Sequence, residues 1–225
     1  LICTREVGVH PRRRGTLARP VHHVPQEILV AYACGTTTAP VELLVASHLT
    51  FCAACRARVA DAEAVGGALL LGATPAAMEH LPDVEAGPVP VFRPPTEPCP
   101  VLPHAIRSHT GPLAGVAWRR VGAGLRIAPV ELGGEPQRIF LLELPARFRV
   151  PTHRHRGRER VLVLQGGFTD RNRAFGVGDV AWNDDAGHSV RIDDDGHCIA
   201  LFVNDGPFVV GGALGTRLLD HWLRR

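Results

Sequence analysis

PTHRHRGRERVLVLQGG, residues 151–167, packs two His, four Arg and one Glu into residues 153–160 and then turns abruptly apolar. Odd positions carry His153, His155 and Glu159, whereas Arg154, Arg156, Arg158 and Arg160 occupy the even ones. Alternate side chains of a β-strand face opposite sides of its sheet. The spacing therefore predicts a strand that points His153 and His155 inward and sends the arginines out to solvent. Gly157 marks a turn or bulge, after which Glu159 returns from the start of the next strand. Two neutral imidazoles and a carboxylate suit Zn, Mn, Fe or Ni. His188, in VAWNDDAGHSV, follows a strand and an Asp/Gly turn and is the expected fourth ligand. A nucleic-acid arm is the weaker alternative: no aromatics are interleaved to stack on bases, and the run leads straight into the apolar VLVLQ.

Around this stretch the texture is β. After Gly111, short runs at 116–121, 125–130, 138–144, 161–165, 179–183 and 198–203 alternate with Gly- and Asp-rich turns. So many closely spaced strands predict a sandwich or barrel. TRLLDHWLRR, at the end of the chain, is expected to form a closing helix. Cys198, opening an apolar strand, is either a buried thiol or a redox-sensitive neighbour of the metal site.

The first half reads differently. QEILVAYAC starts after Pro25 and stops at Gly35, a second helix runs from Pro40 through VELLVASHL, and a third from about Cys52 to Val65. HLTFCAAC spaces His48, Cys52 and Cys55 as H-x3-C-x2-C. Residues three and four apart share a helix face, so these side chains would form one stripe of N, S and S donors. Zn²⁺ takes four such ligands in a tetrahedron; His23 is the expected fourth, with His22 and Cys34 behind it. A redox CxxC would require a βαβ context that the sequence lacks, and inert buried thiols are the remaining alternative. A helical unit of this size is short of core, so a structural metal would add folding stability.

Residues 1–20 hold five arginines against Glu6 and account for the net positive charge of +3, leaving the rest of the chain slightly acidic. They are expected to be a disordered leader, with no signal-peptide pattern, and the protein is expected to be cytoplasmic. No apolar run is long enough to cross a membrane. Eight prolines between 82 and 103 predict an extended linker over 81–111, separating a helical domain at 21–80 from a β domain at 112–225.

VHHVPQEILVAYACGT with LLVASHLTFCAACRARVADAEAVGGALL resembles the N-terminal domain of ChrR-type zinc-binding anti-sigma factors. That family's His followed about 25 residues later by HxxxCxxC falls on His23, His48, Cys52 and Cys55. The HxHx3E run with the later His188 is similar to the cupin pattern of the same family's C-terminal domain, although Arg147 stands where a glycine is expected and the second motif lacks its usual proline and asparagine. The resemblance implies two domains, α then β: a small zinc-stapled helical bundle, then a cupin-like antiparallel β-barrel of jelly-roll type. It implies Zn²⁺ in the helical domain and Zn²⁺ or another divalent transition metal at His153, His155, Glu159 and His188. The implied partner is an extracytoplasmic-function sigma factor, released on oxidative stress of the singlet-oxygen or peroxide type. No direct nucleic-acid contact and no catalysis are implied. The alternative is a metal-dependent, dioxygenase-like cupin enzyme with an accessory zinc module.

Overall fold

Three helices follow the punctuation of the sequence. The computed structural model describes residues 19–75, 99–121, 124–132, 138–155, 157–183, 187–194, 196–206 and 208–210, except the side chains of residues 154, 155 and 208–210. The expected leader over 1–18, most of the proline-rich stretch (76–98) and the C-terminal helix lie outside the described residues. Helix α1 (Gln26–Ala33) begins immediately after Pro25, whose ring fixes a backbone angle suited to a helix start. Helix α2 (Ala39–Phe51) carries Pro40 in its first turn and buries Val41, Leu43, Leu44, Val45, Ser47 and His48. Helix α3 (Ala53–Gly72) runs seven residues past the expected end at Val65 and buries only Cys55 and Val59.

The stretch expected to be extended linker ends in structure. Helix α4 (His104–Thr110) starts at Pro103 and places Ile106 in the core beside Leu102, both fully buried. No proline falls between Pro103 and Pro112, which leaves room for two helical turns.

Among the described residues eleven strands form two antiparallel sheets: β1 (Arg119–Arg120), β2 (Arg126–Pro129), β3 (Arg138–Leu144), β4 (Arg149–His155), β5 (Glu159–Gln165), β6 (Phe168–Asp170), β7 (Arg173–Phe175), β8 (Val180–Asn183), β9 (His188–Ile192), β10 (Cys198–Asn204) and β11 (Phe208–Val210). One sheet has the order β1-β2-β3-β10-β5-β8, the other β11-β4-β9-β6-β7. Among the described residues this is a pair of sheets enclosing a cavity.

The six-stranded sheet is covered on both sides. Leu162, Leu164, Leu201 and Val203 join Leu29, Leu44 and Val59 of the helices in one core cluster. Val161, Val163, Ala200 and Cys198 face the other way, into a second cluster with Phe168, Phe175 and Ile192. A strand buried on both faces reads as an unbroken apolar run, which is why VLVLQ shows no alternation. Each fully buried Leu or Ile here contributes about 1.5–3 kcal/mol, so the shared core binds the helices firmly to the sheet.

Candidate metal centres

His23, His48, Cys52 and Cys55 converge: one ligand atom from each lies within 4.8 Å of all the others. They do not share one helix, as H-x3-C-x2-C suggested. His48 sits in the last turn of α2, Cys52 in the break between helices with extended backbone, and Cys55 in the first turn of α3. The break turns the two sulfurs toward the segment before α1, where His23 Nδ1 lies 3.3 Å from Cys52 Sγ and 3.6 Å from Cys55 Sγ. Those spacings match the sulfur–nitrogen edge of a tetrahedral zinc site, about 3.6 Å from ordinary bond lengths. Cys52 Sγ also accepts the Cys55 backbone N–H at 3.4 Å, so it caps α3.

The donor set fits a zinc ion. His48 Nδ1–H donates to the Gly178 carbonyl at 2.8 Å, which leaves Nε2 as the unprotonated nitrogen. That Nε2 is buried without a hydrogen-bond partner. An orphaned imidazole nitrogen facing two thiols is costly unless something coordinates it. Burial lowers the His48 pKa and keeps the ring neutral, the form that ligates. Burial, with the hydrogen bond its thiol donates to Cys52, pushes Cys55 up to about 11, and a cation would reverse this by stabilising the thiolate. The runner-up residues are elsewhere: His22 Nε2 donates to the Ala174 carbonyl at 3.0 Å, and Cys34 is exposed.

Three of the four residues expected in the β half also meet. His153 pairs directly across from His188 on adjacent strands, after a register shift between Val150 and His153 that bends β4. Their rings lie 4.5 Å apart, and His188 Nε2 is 3.7 Å from Glu159 Oε1. That spacing is a few tenths of an ångström above the roughly 3.4 Å edge expected between N and O ligands of one small cation. The partner nitrogens are fixed: His153 Nδ1–H donates to the Pro151 carbonyl at 2.9 Å, and His188 Nδ1–H to Asp170 at 3.0 Å. Asn183 donates to Glu159 at 3.3 Å. Burial lowers the His153 pKa and pushes Glu159 up to about 8, an expensive place for a carboxylate without a cation. His155 lies on β4 opposite Phe208, and its side chain is outside the described residues.

These residues form part of the wall of a cavity of about 230 Å³ between the sheets, lined otherwise by apolar side chains such as Phe140, Phe148, Val161 and Phe202. Cys198 is in that wall, fully buried, its thiol pushed up by burial to about 12. Burial therefore disfavours its thiolate, the reactive form of a cysteine.

Arg160 departs from the parity reading. It is 4% exposed, forms two bonds to Asp205 at 2.6 and 3.1 Å, and lies over the Trp182 ring. Asp170 and Asp179 went unnoticed in the sequence, where each reads as an ordinary turn acid. No local signal distinguishes them, since their partners are 18 and about 157 residues away.

Helices carrying a His/Cys cluster that could hold a metal, packed on two antiparallel sheets, define a two-part protein of helical and cupin-like halves. Residues 108–209 match the family model of the ChrR cupin-like domain. The anti-sigma-E factor ChrR of Cereibacter sphaeroides is 38% identical over 197 residues, covering 83% of this chain and 90% of that protein. The crystal structure of Rhodobacter sphaeroides SigE in complex with the anti-sigma ChrR aligns with TM-score 0.68 and 38% identity, over 82% of this chain and 98% of the matched one. An RmlC-like cupin protein from Ralstonia eutropha aligns at TM-score 0.40 and 15% identity, over 50% of this chain and 82% of its own. The chain belongs to the ChrR family of anti-sigma factors.

Proposed function

We propose that this protein sequesters an extracytoplasmic-function sigma factor through its helical half and releases it under oxidative stress. The observation that carries the proposal is the convergence of His23, His48, Cys52 and Cys55 in a chain 38% identical to an anti-sigma factor. Bound Zn²⁺ would supply a structural clamp on the helices, and Zn²⁺ or another divalent cation at His153, His155, Glu159 and His188 a Lewis-acidic centre. The chain itself fixes the tautomers of His48, His153 and His188 and buries the thiols of Cys52 and Cys55. It also leaves Val65, Leu69, Leu70 and Leu71 exposed at the far end of α3, an apolar surface suited to a protein partner.

Oxidation of Cys52 or Cys55 would remove a sulfur ligand and with it the metal's share of the folding free energy. The β half would act in that response through its own metal. Among the described residues no helix is long and apolar enough to cross a membrane, and the proposed site of action is the cytoplasm. The test is co-expression with a small sigma factor encoded in the same genome, followed by metal analysis. A one-to-one complex holding roughly two metal ions per chain, one for each four-ligand set, supports the proposal; absence of a complex overturns it.

The enclosed cavity beside His153 and Glu159 favours a second reading, a metal-dependent cupin enzyme of dioxygenase type. A redox-active iron in the β half, turnover of a small apolar substrate and no sigma partner would establish it.

A further inference from the structure

The turn joining β7 to β8, Gly176–Asp179, belongs to the cupin-like half but touches the ligands of the other half. Asp179, 4% exposed, accepts the backbone N–H groups of Val21 at 2.7 Å and His22 at 2.8 Å on one oxygen. Its second oxygen accepts the Gly176 N–H at 2.8 Å, which holds the carboxylate in place. Val180 N–H donates to the His22 carbonyl at 3.1 Å. Both backbone groups of His22 are thus pinned, and the next residue is the ligand His23. From the same turn, the Gly178 carbonyl accepts the His48 Nδ1–H. The turn seats tightly: a Cβ at Gly178, whose φ is +86°, would come within 2.7 Å of Phe51 Cβ and 2.8 Å of Pro20 Cγ.

We propose that Asp179 and the Gly178 carbonyl are positioning groups for the helical metal centre, supplied by the cupin-like half. The inference rests on His23, His48, Cys52 and Cys55 being that centre. Cys52 and Cys55 are placed from within the helical half, Cys55 with a backbone contact to Val24; the two imidazoles are held from the β7–β8 turn. Strand β8 then extends from that turn to Asn183, which donates to Glu159 of the second candidate site. Four strand residues span roughly 13 Å, so one short, paired strand has one end behind the first centre and the other on a ligand of the second. A shift of Glu159 would reach His48 and His23 through Asn183, β8 and this turn.

Cobalt substituted into the full-length protein provides the test. The sulfur-to-cobalt charge-transfer band of the wild-type chain reports on Cys52 and Cys55, and its loss to a chelator gives the release rate. Absence of that band in the wild type would overturn the assignment of the centre itself, separately from the inference. Given the band, Asp179→Ala is expected to speed release at least tenfold and to shift the ligand-field bands, on the scale of outer-shell losses at metal sites. Asp179→Asn is expected to fall between, because its amide oxygen still accepts Val21 and His22 while its NH2 group opposes the Gly176 N–H. Phe140→Ala, which removes a ring stacked on Phe202 away from the turn, is the control for general loss of stability. Release at the wild-type rate in both Asp179 variants, or equal acceleration by Phe140→Ala, would overturn the positioning role. Should Asp179→Ala fail to fold, Asp179→Asn against Phe140→Ala decides alone.

Discussion

Glu159 Oε1 lies 3.7 Å from His188 Nε2, with both side chains closed off from solvent. Burial raises the Glu159 pKa from its ordinary 4.5 to about 8, against the opposing hydrogen bond from Asn183. In metal-free protein the folded state therefore binds this proton more tightly than the unfolded chain does. The stability is fully present below pH 4.5 and is lost as the pH rises through about 8. In metal-free protein the stability of the wild type relative to Glu159→Gln should fall between pH 5 and pH 8 by about a few kcal/mol, a comparison in which the opposite contributions of the buried His48 and His153 cancel. A divalent cation should reverse the trend; a difference independent of pH would contradict this account.

Replacing Cys52 or Cys55 with Ala should abolish both metal retention in the helical half and sigma binding. His153→Ala should leave sigma binding intact and blunt release under oxidant. Co-purification and a reporter of sigma activity measure the two effects, and tight binding by the double cysteine variant would refute the first.

Arg160 pairs with Asp205 and covers Trp182, with 5% of its side chain exposed against 30% for Asp205. Arg160→Met should cost about 2 kcal/mol, less than a fully buried pair because water can reach the carboxylate left behind. Arg160→Lys should not restore the loss, since an ammonium cannot form both bonds or lie flat on the ring. Urea unfolding decides, and a neutral Arg160→Lys would count against the geometry.

Gly166 turns the chain between β5 and β6 with φ at +70°, and a Cβ there would meet the His197 carbonyl oxygen at 2.5 Å. Gly166→Ala should destabilise by on the order of 2–3 kcal/mol, combining strain with a backbone collision. A midpoint unchanged in denaturant would be inconsistent with this turn.

Local pattern carried much of this structure. Period-two reading placed His153, Glu159 and the start of β5, and helix punctuation placed α1 and α2 to within a residue or two. Its failures have physical causes. Arg160 was assigned to solvent because parity says only that it opposes Glu159; it cannot say that Trp182 and Asp205 cover that face. H-x3-C-x2-C looked like one helical stripe because spacing does not reveal that the backbone extends at Cys52. Asp179 and Asp170 were invisible, since a turn acid gains its role from donors brought to it by folding. The exposed apolar end of α3 lay beyond the expected boundary at Val65, where Ala, Gly and Leu continue a helix without any amphipathic signal.

Cys52 combines two tasks on one atom. Its sulfur belongs to the four-ligand cluster and also receives the Cys55 N–H, a free backbone donor in the first turn of α3, whose opposite end presents Leu69, Leu70 and Leu71. An electrophile that takes this sulfur's lone pairs would therefore strike the clamp and the helix start in a single event. At this atom the chemical lesion would itself loosen the helix that carries the apolar face, alongside whatever the β half transmits through its turn.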